Sequence, residues 1–96
     1  MHGLIGNITA IAGQRDNLIE ILLNGIKNMP GCLSYIVSKD SENDDLIWIT
    51  EVWDNKESHQ ASISLPSVRE AISKGRPLIK EFGNQKILEP VGGHGL

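Results

Sequence analysis

Asn7, Trp53 and His59 pair useful chemistry with telling positions in the sequence. Asn7 lies within Leu4–Ala12, an otherwise strand-like run in which an amide is a poor strand former. It reads either as a group held toward a ligand or as an amide satisfied at a strand edge or bulge. Trp53 closes the run Leu46–Trp53. Its ring could stack on a planar ligand while its indole N–H donates, or it could seal a helix against a sheet. His59 follows Asp54 by five residues, and an imidazole there suits a general base near neutral pH. The plainer reading is a helix histidine with a single hydrogen bond. Tyr35 could bond a substrate oxygen or simply pack. Arg69 could neutralise an anionic substrate or stand in solvent. Glu51 is acidic inside an apolar strand. It either accepts a hydrogen bond from a neighbouring strand or a second copy, or serves as the catalytic base.

Other chemistries find little support. Cys32 follows a Pro-Gly turn with no nearby histidine to activate it, so a thiolate nucleophile is disfavoured. His2, His59 and His94 show no metal-ligand spacing, and no glycine loop is built to cradle phosphate. Nine Lys+Arg against twelve Asp+Glu give a net charge of −3, which argues against a phosphate-tracking nucleic-acid binder. The single cysteine excludes an internal disulfide and suits a reducing cytoplasm. The longest apolar run, Leu46-Ile47-Trp48-Ile49, is far short of a membrane span, and no secretion signal is visible.

The elements that must position these groups follow from periodicity. Leu4–Ala12 predicts a strand ended by Gly13. From Gln14 to Asn28, Leu18, Ile21, Leu22 and Ile26 mark one face of a helix that Pro30-Gly31 stops. Leu33–Ser38 predicts a second strand, Asp40–Asp45 a polar turn and Leu46–Trp53 a third strand. Asp54-Asn55-Lys56-Glu57 reads as a helix cap, with a short helix to about Ser62. Pro66 opens another helix, Asn84–Val91 predicts the last strand, and residues 91–96 read as a loose tail. The order is βαββαβ, an α+β ferredoxin-like domain over residues 1–96 with helices on one face of a four-stranded antiparallel sheet.

Such a sheet has one face left over. Alternation puts Trp48 and Val52 opposite Ile47, Ile49 and Trp53, so neither face is polar. At roughly 25 cal/mol per Å², burying several hundred Å² per chain gives a gross term of order 10 kcal/mol. A two-fold homodimer joined sheet to sheet is therefore expected, against the alternative of scattered, partly exposed apolar residues.

Two segments carry a resemblance. Met29-Pro30-Gly31-Cys32-Leu33-Ser34-Tyr35, followed by Thr50-Glu51-Val52-Trp53-Asp54-Asn55-Lys56-Glu57-Ser58-His59, resembles the antibiotic biosynthesis monooxygenase (ABM) domain family, as does Leu65-Pro66-Ser67-Val68-Arg69. The likeness covers about residues 3–90. It implies homodimers whose sheets close into a barrel, and a binding cleft between each sheet and its own helices. Members include cofactor-free monooxygenases of quinols or polyketide phenols, haem-degrading enzymes and an isomerase of small signalling sugars. Asn7 is similar to the cleft asparagine of the first strand, and Trp53 to the cleft tryptophan. Many members carry a histidine where this chain has Ser62, which leaves Ser62 as a substrate contact. Haem-degrading relatives need a histidine where this chain has Ile63, which cannot ligate iron.

Cofactor-free oxygenation needs one base, one or two donors for a developing oxyanion, and a dry apolar cleft. The expected activity is thus oxidation of a small electron-rich quinol or phenol by O₂, without cofactor or metal, with Asn7, Trp53 and His59 catalytic and Tyr35, Ser62 and Arg69 binding substrate. Two alternatives stand beside it: isomerisation or another non-oxidative step on a small carbonyl compound, and a non-enzymatic small-molecule-binding stress module. Neither nucleic acid nor membrane is an expected partner.

Overall fold

The third strand, β3 (Leu46–Trp53), alternates as its sequence demands. Ile47, Ile49 and Trp53 are buried, whereas Trp48 and Val52 are half-exposed on the other face. The computed structural model describes residues 1–96 and places β3 between β1 (His2–Ala10) and β2 (Cys32–Lys39). The sheet order is β2-β3-β1-β4, with β4 spanning Ile79–Leu88, and every neighbouring pair is antiparallel. Helix α1 (Arg15–Gly25) connects β1 to β2, while α2 (Lys56–Ser62) and α3 (Pro66–Gly75) connect β3 to β4. Each crossover skips one strand, which is the split βαβ arrangement of a ferredoxin-like α+β domain. No helix is long and apolar enough to cross a membrane.

Two buried clusters lie beneath the helices. Ala10, Leu18, Ile47 and Ile49 form one, Leu4, Met29 and Trp53 the other, and Tyr35 packs against both. Arg15 closes the far end. Its Nη1 donates to the carbonyl of Asn43 at 2.8 Å and, over longer distances, to those of Asp40 and Leu46, which ties α1 to the β2–β3 turn. That cation is spent on the backbone. Asp40 orders the same turn, with Oδ2 accepting from the backbone N–H groups of Glu42 and Asn43.

Several boundaries differ from the sequence expectation. β1 starts at His2 and stops at Ala10, because Ile11 and Gly13 already belong to the turn into α1. α1 ends at Gly25 rather than Asn28; Asn28 and Gly31 take positive φ values of 58° and 82° in the turn that follows. The cap of α2 is Asn55, whose Oδ1 accepts from the Ser58 N–H at 2.8 Å, and not Asp54. β4 begins at Ile79, five residues before the expected Asn84 and ends at Leu88 rather than Val91. Gly83-Asn84 looks like a strand break in the sequence. In the structure it is a bulge, since Gly6 pairs with Gln85 but Ile8 pairs with Phe82.

The tightest helix contact is between α1 and α3. A β-carbon at Gly25 would collide with that of Ala71. Gly25→Val is therefore expected to destabilise the fold by about 2 kcal/mol through overpacking. The test is a urea titration, in which the midpoint falls and the slope is unchanged.

Candidate active site

Between the sheet and its helices lies a cleft of about 440 Å³. Its walls are mostly aliphatic: Leu18 and Leu22 from α1, Ala71 and Ile72 from α3, Ile8 and Ile49 from the sheet. Gly6 lies on its floor with no side chain to fill it. Ile63, Ile72 and Phe82 are exposed apolar residues at its edge, and Arg76 adds a cation there. The polar side chains on its wall are few: Asn7, Tyr35, Glu51 and Gln85 beside Arg76.

Glu51 is the exceptional one. Strand alternation puts it on the helix-covered face with Ile47, Ile49 and Trp53, and its side chain is only 11% exposed. Its Oε1 accepts the Trp53 indole N–H at 3.0 Å. His59 Nε2 stands 3.7 Å from the same oxygen, too far for a hydrogen bond. Burial pushes the carboxyl above the usual carboxylate range, against opposing effects of the Trp53 bond and the His2 charge. Tyr35 is the direct cross-strand partner of Glu51. Its phenol is pushed far above its ordinary value by burial and then by the Glu51 charge, so it stays a neutral donor.

The sequence-predicted residues separate into those that reach the cleft and those that do not. Tyr35 lines it. Asn7 borders it in an unexpected way: register sets Asn7 opposite Trp48 on the helix-free face, and its carboxamide lies over Gly83 at the β4 bulge. Trp53 is completely buried below the cleft and presents no stacking surface. Its role here is to hold Glu51. His59 does not line the cleft; it packs edge-on against Trp53 at 5.4 Å and faces His2 at 5.6 Å. Burial lowers its pKa, which favours the neutral imidazole. Ser62 is buried and its hydroxyl donates to the His59 carbonyl at 2.6 Å, a bond within α2 that turns it away from any substrate. Arg69 is exposed on α3 in an adjoining groove that also takes in Arg76 and Ile72.

Arg76, Gln85 and Gly83 went unread in the sequence, because their places depend on where β4 begins and bulges. Burial, and then the charge of Glu51, push the Cys32 thiol up, which does not favour a thiolate nucleophile. No group of His, Cys, Asp and Glu side chains is clustered to hold a metal. Haem does not fit either, since the cleft lining presents no histidine, cysteine or methionine to ligate its iron.

An open, four-stranded α+β sandwich with an apolar cleft and one buried carboxyl presents a candidate small-molecule site on a ferredoxin-like scaffold. Residues 1–74 match the family model for antibiotic biosynthesis monooxygenase, and the chain belongs to that family. A solved structure from Chloroflexus aurantiacus bearing the same family name is 58% identical, covers 97% of this chain and 95% of its own, and superposes with a TM-score of 0.95. Another so named, from Deinococcus radiodurans, is 27% identical over 97% of this chain and 95% of its own, with a TM-score of 0.80. A third, from Nitrosomonas europaea, shares the fold at a TM-score of 0.86 with only 9% identity, over 96% of this chain and all (100%) of its own. Among curated proteins none matches.

The raised Glu51 carboxyl has a consequence for stability. The folded state holds its proton to higher pH than the unfolded chain, so this group's stabilising contribution is complete below the unfolded value near 4.5 and is lost as pH rises through the folded one. Glu51→Gln keeps an oxygen for the Trp53 N–H. It is expected to raise the thermal midpoint at pH 7 relative to wild type, with the difference shrinking toward pH 4 in a calorimetric series.

Proposed function

We propose that the protein is a cofactor-independent monooxygenase acting on a small, planar, electron-rich compound, a quinol or a polyketide phenol. The observation that carries it is the mostly aliphatic cleft of about 440 Å³ with a buried carboxyl and a neutral phenol on adjacent strands. Family membership supports the same activity class. In this chemistry the substrate supplies the electrons. Loss of a phenolic proton gives an anion that reduces O₂; in an anthrone-type phenol a ring CH₂ becomes C=O, in a quinol a ring C–H becomes C–OH as the ring is oxidised to the hydroxyquinone, and in both the second oxygen atom leaves as water. The protein has to accept the proton, hold the oxyanion and exclude solvent.

Tyr35 and the Asn7 amide are the donors for the oxyanion, and the acid–base work falls to Glu51, with His59 paired behind it. Trp53 and Ser62 act from behind, the first through Glu51 and the second through the α2 backbone. Arg76 at the mouth and Arg69 in the adjoining groove suit an anionic substituent on the substrate. A reducing cytoplasm suits the free thiol of Cys32.

The test is incubation with a panel of hydroquinones under air and under argon. Substrate loss that requires O₂, with wild-type turnover falling at least about tenfold in Tyr35→Phe, is the expected result. Turnover that persists under argon favours the second reading, a proton shift on a small carbonyl compound, which the same Glu51–His59 pair could perform. No turnover of any quinol by folded protein removes the oxygenase reading.

The helix-free face has its own proposed partner, a second copy of the chain. Ile36 and Leu88 are exposed there beside the half-exposed Ile5, Trp48 and Val52. Light scattering is expected to give the mass of two chains for wild type and of one chain for Ile36→Lys, with the circular dichroism unchanged. A monomeric wild type overturns the dimer.

A further inference from the structure

We propose that Glu51, and not His59, is the group that takes the substrate proton, and that His59 is a positioning residue behind it. This rests on the phenol-binding reading of the cleft and goes further by naming the atom that receives the proton. Glu51 lines the cleft and His59 does not. The two oxygens of Glu51 are unequal. Oε1 is bonded to the Trp53 indole N–H and has His59 Nε2 at 3.7 Å. Oε2 has no donor within the protein and is not among the buried unpartnered atoms, so it keeps some exposure and is the free acceptor of a residue that lines the cleft. A phenol entering between Tyr35 and Glu51 meets that oxygen first. The O–H bond of the phenol breaks with its electron pair left on oxygen, a new O–H bond forms on Oε2, and no electron is transferred in that step.

The surroundings suit an acceptor stronger than an ordinary carboxylate. The titratable groups facing Glu51 are Tyr35 and Cys32 from β2, His2 from β1 and His59 from α2. From α1 and α3 the cleft receives aliphatic side chains, with Arg76 beyond them at the mouth. Desolvation therefore dominates, which raises the proton affinity of Glu51 and brings it closer to that of a phenol. The same burial lowers the His59 pKa and favours its neutral form, which stands beside the carboxyl without cancelling its charge.

A photoacid tests this without knowledge of the natural substrate. The phenol 2-naphthol, excited beyond the tryptophan band, emits as naphtholate when a base adjoins its hydroxyl and as neutral naphthol when none does. Bound to wild type and to Tyr35→Phe it is expected to emit as naphtholate; bound to Glu51→Gln it is expected to lose that band while affinity changes by less than about threefold. In His59→Gln the band persists, but the acid midpoint at which it disappears moves. Naphtholate emission retained in Glu51→Gln overturns the assignment, as does its loss in His59→Gln alone. An unmoved midpoint in His59→Gln overturns the positioning role. Glu51→Asp guards against misfolding of the amide variant: it keeps the charge, shortens the reach and is expected to weaken the band. Naphthol that binds and emits only as the neutral form in wild type refutes the assignment to Glu51 while leaving the cleft intact. Naphthol that fails to bind wild type removes the phenol-binding reading itself and the assignment with it.

Discussion

A carboxyl on the covered face of a central strand is costly, and this molecule is organised around keeping one there. A buried carboxylate without partners gives up hydration that nothing in an aliphatic wall returns. Glu51 recovers part of that loss through the Trp53 N–H at 3.0 Å. Trp53 can supply it only because the indole is itself locked, fully buried among Leu4 and Met29 at the end of β3. His59 packs edge-on against that indole from the short helix that Asn55 caps. A fully apolar residue at position 51 would be the simpler choice for stability. The carboxyl stands where the cleft can use it, which is the pattern expected when a fold concedes stability to a site.

The open side of the cleft depends on backbone geometry more than on side chains. β4 is an edge strand, and its bulge at Gly83 lets the Asn7 carboxamide lie across it. A β-carbon at Gly83 would collide with Asn7 Oδ1, so the glycine and the amide are a matched pair. Bulges commonly re-aim side chains beside active sites. Here the effect is to let a residue whose register belongs to the helix-free face border the cleft on the other.

The element order and the division of β3 into two faces were legible in the sequence because they rest on apolar periodicity, which survives without tertiary context. Ile47, Ile49 and Trp53 sorted from Trp48 and Val52 by alternation alone, and the structure sorts them identically. The beginning of β4 was not legible. Gly83-Asn84 carries the composition of a turn, and only pairing with β1 makes it a bulge within a strand. That error concealed Gln85 and Arg76 as cleft residues. Trp53 was legible only as two alternatives, stacking on a ligand or sealing the helix against the sheet, and its complete burial follows the second. The strongest clue to Glu51 was already in the string, as the one charged position in the alternating set 47, 49, 51 and 53.

The two tryptophans express the same rule in opposite settings. Each indole N–H donates to a carboxylate nearby in sequence, Trp53 to Glu51 and Trp48 to Asp40 at 2.8 Å. Around Trp53 the bond is desolvated, and the acid it binds has its pKa raised because burial outweighs the bond. Around Trp48 the acid lies near the surface, the bond and the Asn43 and Glu42 N–H groups outweigh the smaller cost of desolvation, and the Asp40 carboxyl is held below its ordinary value. One donor type thus coexists with opposite acidities, so the hydrogen bond alone does not set the chemistry. The dielectric does, and it is the helices lying over only one face of the sheet that make the two environments differ.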